Sequence, residues 1–495
     1  MSTTGNVQIT INDNGGATNI IVAAPSVIAV AGTSSAGTVG VPVSTRSLAT
    51  ITSTFGYGPL SELCALLISA GATVIATKLT TAVAGSASAV TFAGTGSSAV
   101  TVSGAAFDTY YVVAKVITGG TIGSAGITLQ ISLDAGRTFG PVIALDVASN
   151  YAIPQTGLTI NFGAGTLVAG DTATFGTVAP APNAAGVNAW LNAMLASPYA
   201  AAGWGSMIVA GSRTGADVTS VQATLDTLAA QYLFERLIFN SRDVSPAAKW
   251  GGTGETESTW QNALLNDFSA TSARRSCVSA GYYNMPSGIA NPAAGTPRYR
   301  RPLSWAIAAR KVQQPVQVLS SRVKDGTLAA IIVDPTNDPT DGFIYHDERI
   351  NPGLDAGRFA SAWTRLGQPQ GFFVRSENLM SPLGSDFPLL AVGQCFDNFC
   401  SALVQFFTAN IDDSVRTNSN GTIYENDAQR LESGALSAVA SSMTGQYQPQ
   451  NTSVVIDRTY NVKTNSKVLV SGTFGGLAYV REFDLTVQVQ NPNAA

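Results

Sequence analysis

Strict alternation of apolar and polar residues stands near both ends of the chain, in Val7-Gln-Ile-Thr-Ile-Asn12 and in Phe483-Asp-Leu-Thr-Val-Gln-Val-Gln490. Each run presents one apolar face and one wet face, the period-2 signature of a half-buried strand. A strand this close to a terminus can leave its own body and pair with the sheet edge of a neighbour. Proteins ordinarily suppress open edges because they template association. Two such strands at the termini imply a subunit that is stitched into a polymer.

The rest of the composition agrees with assembly. At 495 residues the chain is too long for one core, and two to four domains are expected. Only 12% of residues are charged, about half the usual share. A free monomer with so little charge is poorly protected against self-association, whereas an obligate assembly buries that surface. The net charge of -4 comes without a long basic run, so nucleic-acid binding has no electrostatic footprint. Met1-Ser-Thr-Thr-Gly5 lacks a basic region followed by an apolar stretch, so no secretory signal is visible. The most apolar early segment, Ile20 to Ala31, is interrupted by Pro25 and is too short to span a bilayer. Cys64, Cys277, Cys395 and Cys400 show no CxxC spacing and read as buried free thiols, in keeping with assembly in a reducing cytoplasm.

Along the chain the texture changes three times. Residues 20–80 read as a βαβ-like unit: strand Val27-Ile-Ala-Val30, a helix Glu62–Ala70 capped by Ser61, and strand Thr73–Thr77. From 81 to 180 short Ser/Thr/Gly/Val runs alternate with turn signals and no helix is evident, the pattern of a β-sandwich or small barrel. Because it interrupts an α/β chain, it reads as an insertion. Helices return with Val187, Trp190, Leu191, Met194 and Leu195 on one face and Val221, Leu225, Leu228 and Tyr232 on another. Strand candidates Met207–Ala210, Leu237–Phe239, Cys277–Ala280 and Leu328–Val333 alternate with them, as in a layered domain on a largely parallel sheet. Two helices follow, one carrying Phe399, Cys400, Leu403, Val404, Phe407 and Ile411 and one over Glu425–Met443. Strands at Ser453–Asp457, Lys467–Gly472 and Tyr479–Gln490 close the chain.

The expected class is therefore α+β and multidomain, with a layered α/β core on a mixed sheet, an inserted all-β sandwich-like domain and extended terminal β-arms. The expected divisions are an arm at 1–19, the first part of the core at 20–80, the insertion at 81–180, a middle α/β region at 181–390, helix pair and strands at 391–482, and a second arm at 483–495.

Catalytic chemistry finds little purchase. The single histidine, His346, has no nucleophile elbow beside it, so a triad has one candidate member and a loop histidine is the better reading. One histidine and scattered cysteines exclude the usual zinc sets. Asp334 to Asp341 lacks the glycine and closing glutamate of an EF-hand and reads as a solvated turn. The loop Gly32–Gly40 has neither a Gly-Lys-Ser/Thr end nor GxGxxG, and reads as a tight connection. Ser132-Leu-Asp-Ala-Gly-Arg-Thr-Phe139 resembles a single Asp-box hairpin, in which Asp134 bonds nearby amides. No enzyme activity, metal or cofactor is expected. A secreted or surface β-rich adhesin or carbohydrate-binding protein remains the alternative, suggested by the Ser/Thr-rich β segment and the lone Asp-box-like turn, and an α/β hydrolase, motivated by the middle region and His346, is a third reading.

Three features together resemble the contractile tail sheath proteins of bacteriophages and related injection systems. They are the block Val27-Ile-Ala-Val-Ala-Gly-Thr-Ser-Ser-Ala-Gly37 with Val41-Pro-Val-Ser-Thr45 and Thr54-Phe-Gly-Tyr-Gly58, the β-rich insertion behind it, and the C-terminal helix pair followed by Val454-Val-Ile-Asp-Arg-Thr-Tyr-Asn461 and the alternating tail. The resemblance implies a virion structural protein assembled in the host cytoplasm. It would stack as hexameric rings around a tail tube protein, between baseplate and tail terminator proteins, and contract to drive the tube through the host envelope. It also implies that neighbours exchange terminal strands, here Val7, Gln8, Ile9, Thr10 and Ile11 at one end and Leu485, Thr486, Val487, Gln488, Val489 and Gln490 at the other. The C-terminal part would face the tube, with Glu425, Asp427, Arg430 and Glu432 as candidate tube contacts.

Overall fold

The computed structural model of the chain describes residues 7–9, 26–200, 203–245, 254–332, 353–365, 367–443 and 448–479. These divide into two compact units. One ends at Gln405; the other combines Val7–Ile9 with the residues from Phe406 onward.

The first unit is built on a six-stranded sheet. Its strands are β1 (Val27–Gly32), β2 (Pro42–Thr45), β3 (Thr73–Lys78), β4 (Ser206–Ser212), β5 (Leu237–Asn240) and β6 (Ser276–Ser279), in the order β6-β5-β4-β1-β3-β2. All pair in parallel except β2, which runs antiparallel to β3. In chain order the parallel strands sit 2-1-3-4-5, one of the doubly wound arrangements. Strands covered on both faces need unbroken apolar runs. Ile28-Ala-Val-Ala31, Met207-Ile-Val-Ala210 and Leu237-Ile-Phe239 supply them and are all buried. The β2 edge is blunted by Pro42 and by the Tyr199 hydroxyl, 3.4 Å from the Ser44 amide.

Two helices join β2 to β3. Helix α1 (Leu48–Phe55) is capped by Ser47, whose Oγ accepts from the Thr50 amide at 3.3 Å. It escapes a sequence reading because Ile51-Thr-Ser-Thr54 carries β-branched residues that favour strands. Helix α2 (Pro59–Ser69) begins earlier than expected, and Ser61 lies buried inside it and does not cap it. Pro59 fits the first helical position because it lacks an amide that would be unpaired there. Gly58 reaches it with φ 123°, open to glycine alone in practice.

Helices α3 (Ala184–Leu195) and α4 (Gly215–Ala230) pack on each other. They bury Val187, Trp190, Leu191, Met194, Val221, Leu225 and Leu228, as the spacing predicts. Tyr232 lies past the end of α4, with φ 63°. After α5 (Glu257–Asp267), helix α6 (Leu303–Val312) is buried along its whole length and packs against α2 and the sheet. The expected strand at Leu328–Val333 is not formed: through Ile332 the segment turns, with Leu328 and Ile332 donating to Phe372 and Asn284 at 2.8 and 3.0 Å. Apolar content alone did not distinguish that buried turn from a strand. Helix α7 (Leu390–Ala409) carries the chain out of the first unit.

Between β3 and α3, the described residues of 81–180 form strands and no helix. One antiparallel sheet has the order Ile143–Ala144, Thr128–Ser132, Tyr111–Thr118, Thr172–Val178, Ser86–Ala87, with Thr91–Ala93 also on Thr172–Val178. A second pairs Asn150–Ile153, Leu158–Phe162 and Val100–Gly104. Val112, Leu129, Ile131 and Phe175 of the first sheet share one core with Ile153, Leu158, Ile160 and Phe162 of the second. Ala294 and Tyr299 join that core from outside, brought by the antiparallel pair Tyr282–Pro286 and Arg298–Pro302.

The same pair ties the segment 81–180 down with polar contacts. Arg301 meets Asp108 through two hydrogen bonds of 2.8 and 2.7 Å, with both side chains almost wholly buried. Its guanidinium also lies over the rings of Tyr299 and Trp305, 4.7 and 4.8 Å from their centroids. Removing one member of a buried pair strands the other charge out of water, at a cost of about 3–5 kcal/mol. Asp108→Ala is therefore expected to lower unfolding free energy by about that amount, read from the midpoint of a urea transition with unchanged slope. A loss below about 1 kcal/mol would show that this ion pair is solvated in solution.

Candidate assembly site

The second unit sets helix α8 (Glu425–Met443) against an antiparallel ribbon of Pro449–Ile456 and Val470–Gly476. Asp427 and Glu425 stand in the first turn of α8, where acidic groups suit the helix dipole. Leu431, Ala435, Val439 and Met443 recur on one face and are buried, as expected. Gly434 is unusual in a helix interior, and the Phe406 ring explains it: a Cβ there would fall 2.5 Å from Phe406 Cζ. Ile411, expected on the preceding helix, lies beyond its end and is exposed.

Val7–Ile9 adds a third strand, antiparallel to Val470–Gly476, with Val7 opposite Gly472 and Ile9 opposite Val470. Within the single chain these residues complete their own sheet. Thr10, Ile11 and all of Leu485–Gln490 lie outside the described residues, as do His346 and Asp334–Asp341. The other edge of the sheet is Pro449–Ile456, which pairs with no further strand among the described residues. One of its amides is taken, since Ile456 N donates to Glu432 Oε1 at 2.7 Å.

All four charges proposed as tube contacts are engaged inside this unit. Arg458 bridges Glu425 and Glu432, donating Nη2 to Glu425 Oε1 at 3.1 Å and to Glu432 Oε2 at 2.8 Å. Those bonds hold both carboxyls below the usual range. Asp427 accepts the Arg416 main-chain amide at 2.7 Å and its Nε and Nη2 at 3.1 and 3.0 Å. The side-chain bonds first, and then the backbone bond, lower its carboxyl to about 2. Arg430 reaches Asp413 at 3.1 Å. Glu432 and Asp427 are thus positioning groups for the ribbon and for the loop before α8, while Glu425 and Arg430 remain exposed enough to meet a partner.

The other sequence candidates resolve as structural. Asp134 is fully buried and accepts from Thr138 N at 2.8 Å, as expected of the hairpin, and also from Arg298 N at 3.0 Å. The amides of Ser35 and Ala36 in the glycine-rich loop donate to Tyr57 O and Phe55 O at 2.8 and 2.9 Å, so they do not form a phosphate cradle. All four cysteines are buried free thiols. Among the described residues no helix is long and apolar enough to cross a membrane, and no three His, Cys, Asp or Glu side chains are grouped to hold a metal ion.

No protein-family model matches the sequence, and no curated protein matches it either. Among solved structures, a subunit of the anti-feeding prophage helical sheath in its contracted state is 10% identical, with a TM-score of 0.51 over 99% of this chain and 100% of that one. The chain has the fold of a contractile sheath subunit. Sheath tail proteins from Desulfitobacterium hafniense and Listeria innocua are 12% and 10% identical, each with a TM-score of 0.44. They cover 95% and 93% of this chain, which spans 100% and 97% of theirs. Sequence reasoning found the strand at Val7–Ile9 and helix α8. It missed Arg416, Asp413 and Arg458, whose partners are chosen by the fold and leave no local spacing signal.

Two outcomes test the geometry. In Glu432→Ala, Ile456 loses its acceptor and Arg458 one of two carboxylates, so amide exchange at Ile456 should accelerate about tenfold or more, for a contact worth about 1.5–3 kcal/mol. Arg416→Gln should return the Asp427 carboxyl toward its ordinary value in an NMR titration. Because that carboxyl is depressed, its stabilising effect is present above the ordinary carboxylate range and fades as pH falls toward 2.

Proposed function

We propose that this chain is the structural subunit of a contractile tail sheath, without catalytic activity. It would polymerise as stacked hexameric rings around a tail tube and shorten to drive that tube through a host envelope. The observation that carries this reading is likeness to a contracted-sheath subunit along essentially the whole of both chains. The alternating termini support it independently. An antiparallel strand seated on Val470–Gly472 makes the same main-chain hydrogen bonds whether it comes from its own chain or from a neighbour. The exchanged strands would be Val7–Ile11 and Leu485–Gln490. The two edges of the ribbon, at Val470–Gly472 and Pro449–Ile456, would be their acceptors.

Each added strand contributes main-chain bonds worth roughly 0.5–1.5 kcal/mol net apiece. Joining every subunit to several others turns these modest links into a lattice through effective concentration. Such links persist while bodies rotate, so a shorter packing of slightly lower free energy per subunit can take over cooperatively. In this reading Glu425 and Arg430 face the tube protein, and baseplate and terminator proteins cap the polymer. We also read 81–180 as a sandwich-like insertion carried on the outside of the core. The competing adhesin reading loses its one specific feature, because Asp134 is wholly engaged inside the protein.

Deletion of residues 1–14, or of 483–495, should leave a folded chain with native-like circular dichroism that forms no tubes in negative-stain microscopy, while the full chain forms hollow cylinders. Normal tubes from both truncations would refute the exchange.

A further inference from the structure

Asp397 and Glu235 are neighbouring buried carboxyls of the first unit, and only Asp397 is gripped by arginines. Arg236 grips Asp397 with Nε on Oδ2 at 2.6 Å and Nη2 on Oδ1 at 3.2 Å, and Arg275 adds Nη1 at 3.2 and 3.4 Å from the same two oxygens. Glu235, only 5% exposed, receives the Trp204 indole N–H at 2.8 Å on Oε2, and its Oε1 has no hydrogen-bond partner. Two neighbouring donors are engaged elsewhere, while Arg275 Nε has no hydrogen-bond partner. Arg236 Nη1 donates to Arg274 O at 2.7 Å, and Gln394 Nε2 to Gly205 O and Ser206 Oγ, both at 2.9 Å. Glu235, Asp397 and Gln394 line one small cavity of about 30 Å³, closed on one side by α7.

A carboxylate held by one neutral donor, out of water and beside a second anion, is far costlier than the neutral acid. We propose that Glu235 is a neutral acid in the folded chain and that the seating of α7 on the first unit is coupled to uptake of its proton. The coupling runs through Arg275. Its Nη1 already lies 3.3 Å from the Glu235 main-chain oxygen, so an ionised Glu235 competes with Asp397 for that guanidinium. Asp397 is the residue that anchors α7. Gly393, one turn earlier, lets Arg236 lie flush against the helix, because a Cβ there would be 2.3 Å from Arg236 Cζ.

The remaining charges around the cluster do not mask the effect. On α7, burial raises the Cys400 thiol far above neutrality, so it stays uncharged. Asp226 of α4 lies 4.0 Å from Arg275 Nε but is better placed on Arg274, at 3.2 Å, and both are partly exposed. Burial lowers the Arg236 guanidinium, and Asp397 opposes that. Burial first, and Asp397 after the opposing Trp204 bond, push the Glu235 carboxyl up to about 8, with Arg275 pulling the other way. Once α7 lifts, Glu235 meets water and returns to the ordinary carboxylate range. Lifting therefore releases a proton. The seat is firmest at acid pH, weakens as pH rises from about 4.5, and levels off above about 8.

Hydrogen exchange of Ala391–Gln405 in the full chain, corrected for intrinsic rates, should show protection falling by up to about tenfold per pH unit between pH 5 and 8 and then flattening. Glu235→Gln, neutral at every pH, should lose that slope; whatever slope comes from another buried acid such as Glu62, raised to about 7, is common to both proteins. Trp204→Phe removes the donor that favours the charged form, so its plateau should begin at higher pH. A wild-type profile without slope, an unchanged slope in Glu235→Gln, or an unmoved plateau in Trp204→Phe overturns the proposal. Where Glu235→Gln fails to fold, the Trp204→Phe profile decides. The inference is independent of the sheath reading, since it concerns how one helix is held in a single chain.

Discussion

Arg300 and Arg301 are neighbours on one strand and point opposite ways, as consecutive residues on a strand must. Arg300 turns to Asp243, just past β5 of the core sheet, with bonds of 3.1 and 3.0 Å. Arg301 turns to Asp108, 193 residues earlier and inside the insertion. One strand thus rivets two sheet systems together, each through a charge pair that is almost wholly buried. Buried pairs of this kind add little net stability over an apolar packing of the same shape, because desolvation offsets most of the attraction. Their leverage is on arrangement. Any packing that separates the partners leaves bare charge in the interior, so alternatives to the observed one are penalised steeply.

The pattern extends through the first unit. Glu377, fully buried, accepts the Ala391 amide at the start of α7 at 2.9 Å and Ser320 N and Oγ at 2.9 and 2.6 Å, with Lys311 Nζ at 3.6 Å. Asp397 holds α7 half a dozen residues on through Arg236 and Arg275. Glu62, on α2, accepts Ser287 Oγ and the Gly288 amide from the loop that also feeds the insertion's core. In a chain with 12% charged residues, several of the scarce charges are thus inside and paired. Charged residues are seldom buried without a partner, and these pairs show how a low-charge composition can still specify one packing of several layers.

What could be read from the sequence follows from the range of the forces involved. Helix α8 carries its own periodicity and strands β1, β3, β4 and β5 their own apolar runs, so local text sufficed. Ser61 misled because a serine before an apolar run resembles a cap, while Pro59 and Gly58, two and three positions earlier, already set the start. Leu328–Ile332 misled because burial, which the apolar residues did report, was taken for strand geometry, which they did not. The ionic rivets had no local signature at all: Asp108 and Arg301, or Asp397 and Arg236, become partners only after the sheets have docked. Asp134 lay between these cases, legible as a turn residue from Ser132–Phe139, yet its bond to Arg298 N needed the hairpin of another region.

Both units carry side-chain ion pairs, and the second adds a link of another kind. In the first, buried charges pair with particular partners, so no other surface can substitute for them. In the second, Val7–Ile9 is held along Val470–Gly472 by main-chain bonds that any strand of suitable face pattern can make. Ion pairs cannot be traded between copies without exposing charge, whereas backbone ladders can. On the function proposed above, a subunit that changes its neighbours while preserving its own shape would need both kinds of contact. The first unit holds its buried acid–base partners between Asp108 and Asp397, the second pairs Asp427 with Arg416 and Glu432 with Arg458, and uncharged alternation marks the strand at the beginning of the chain.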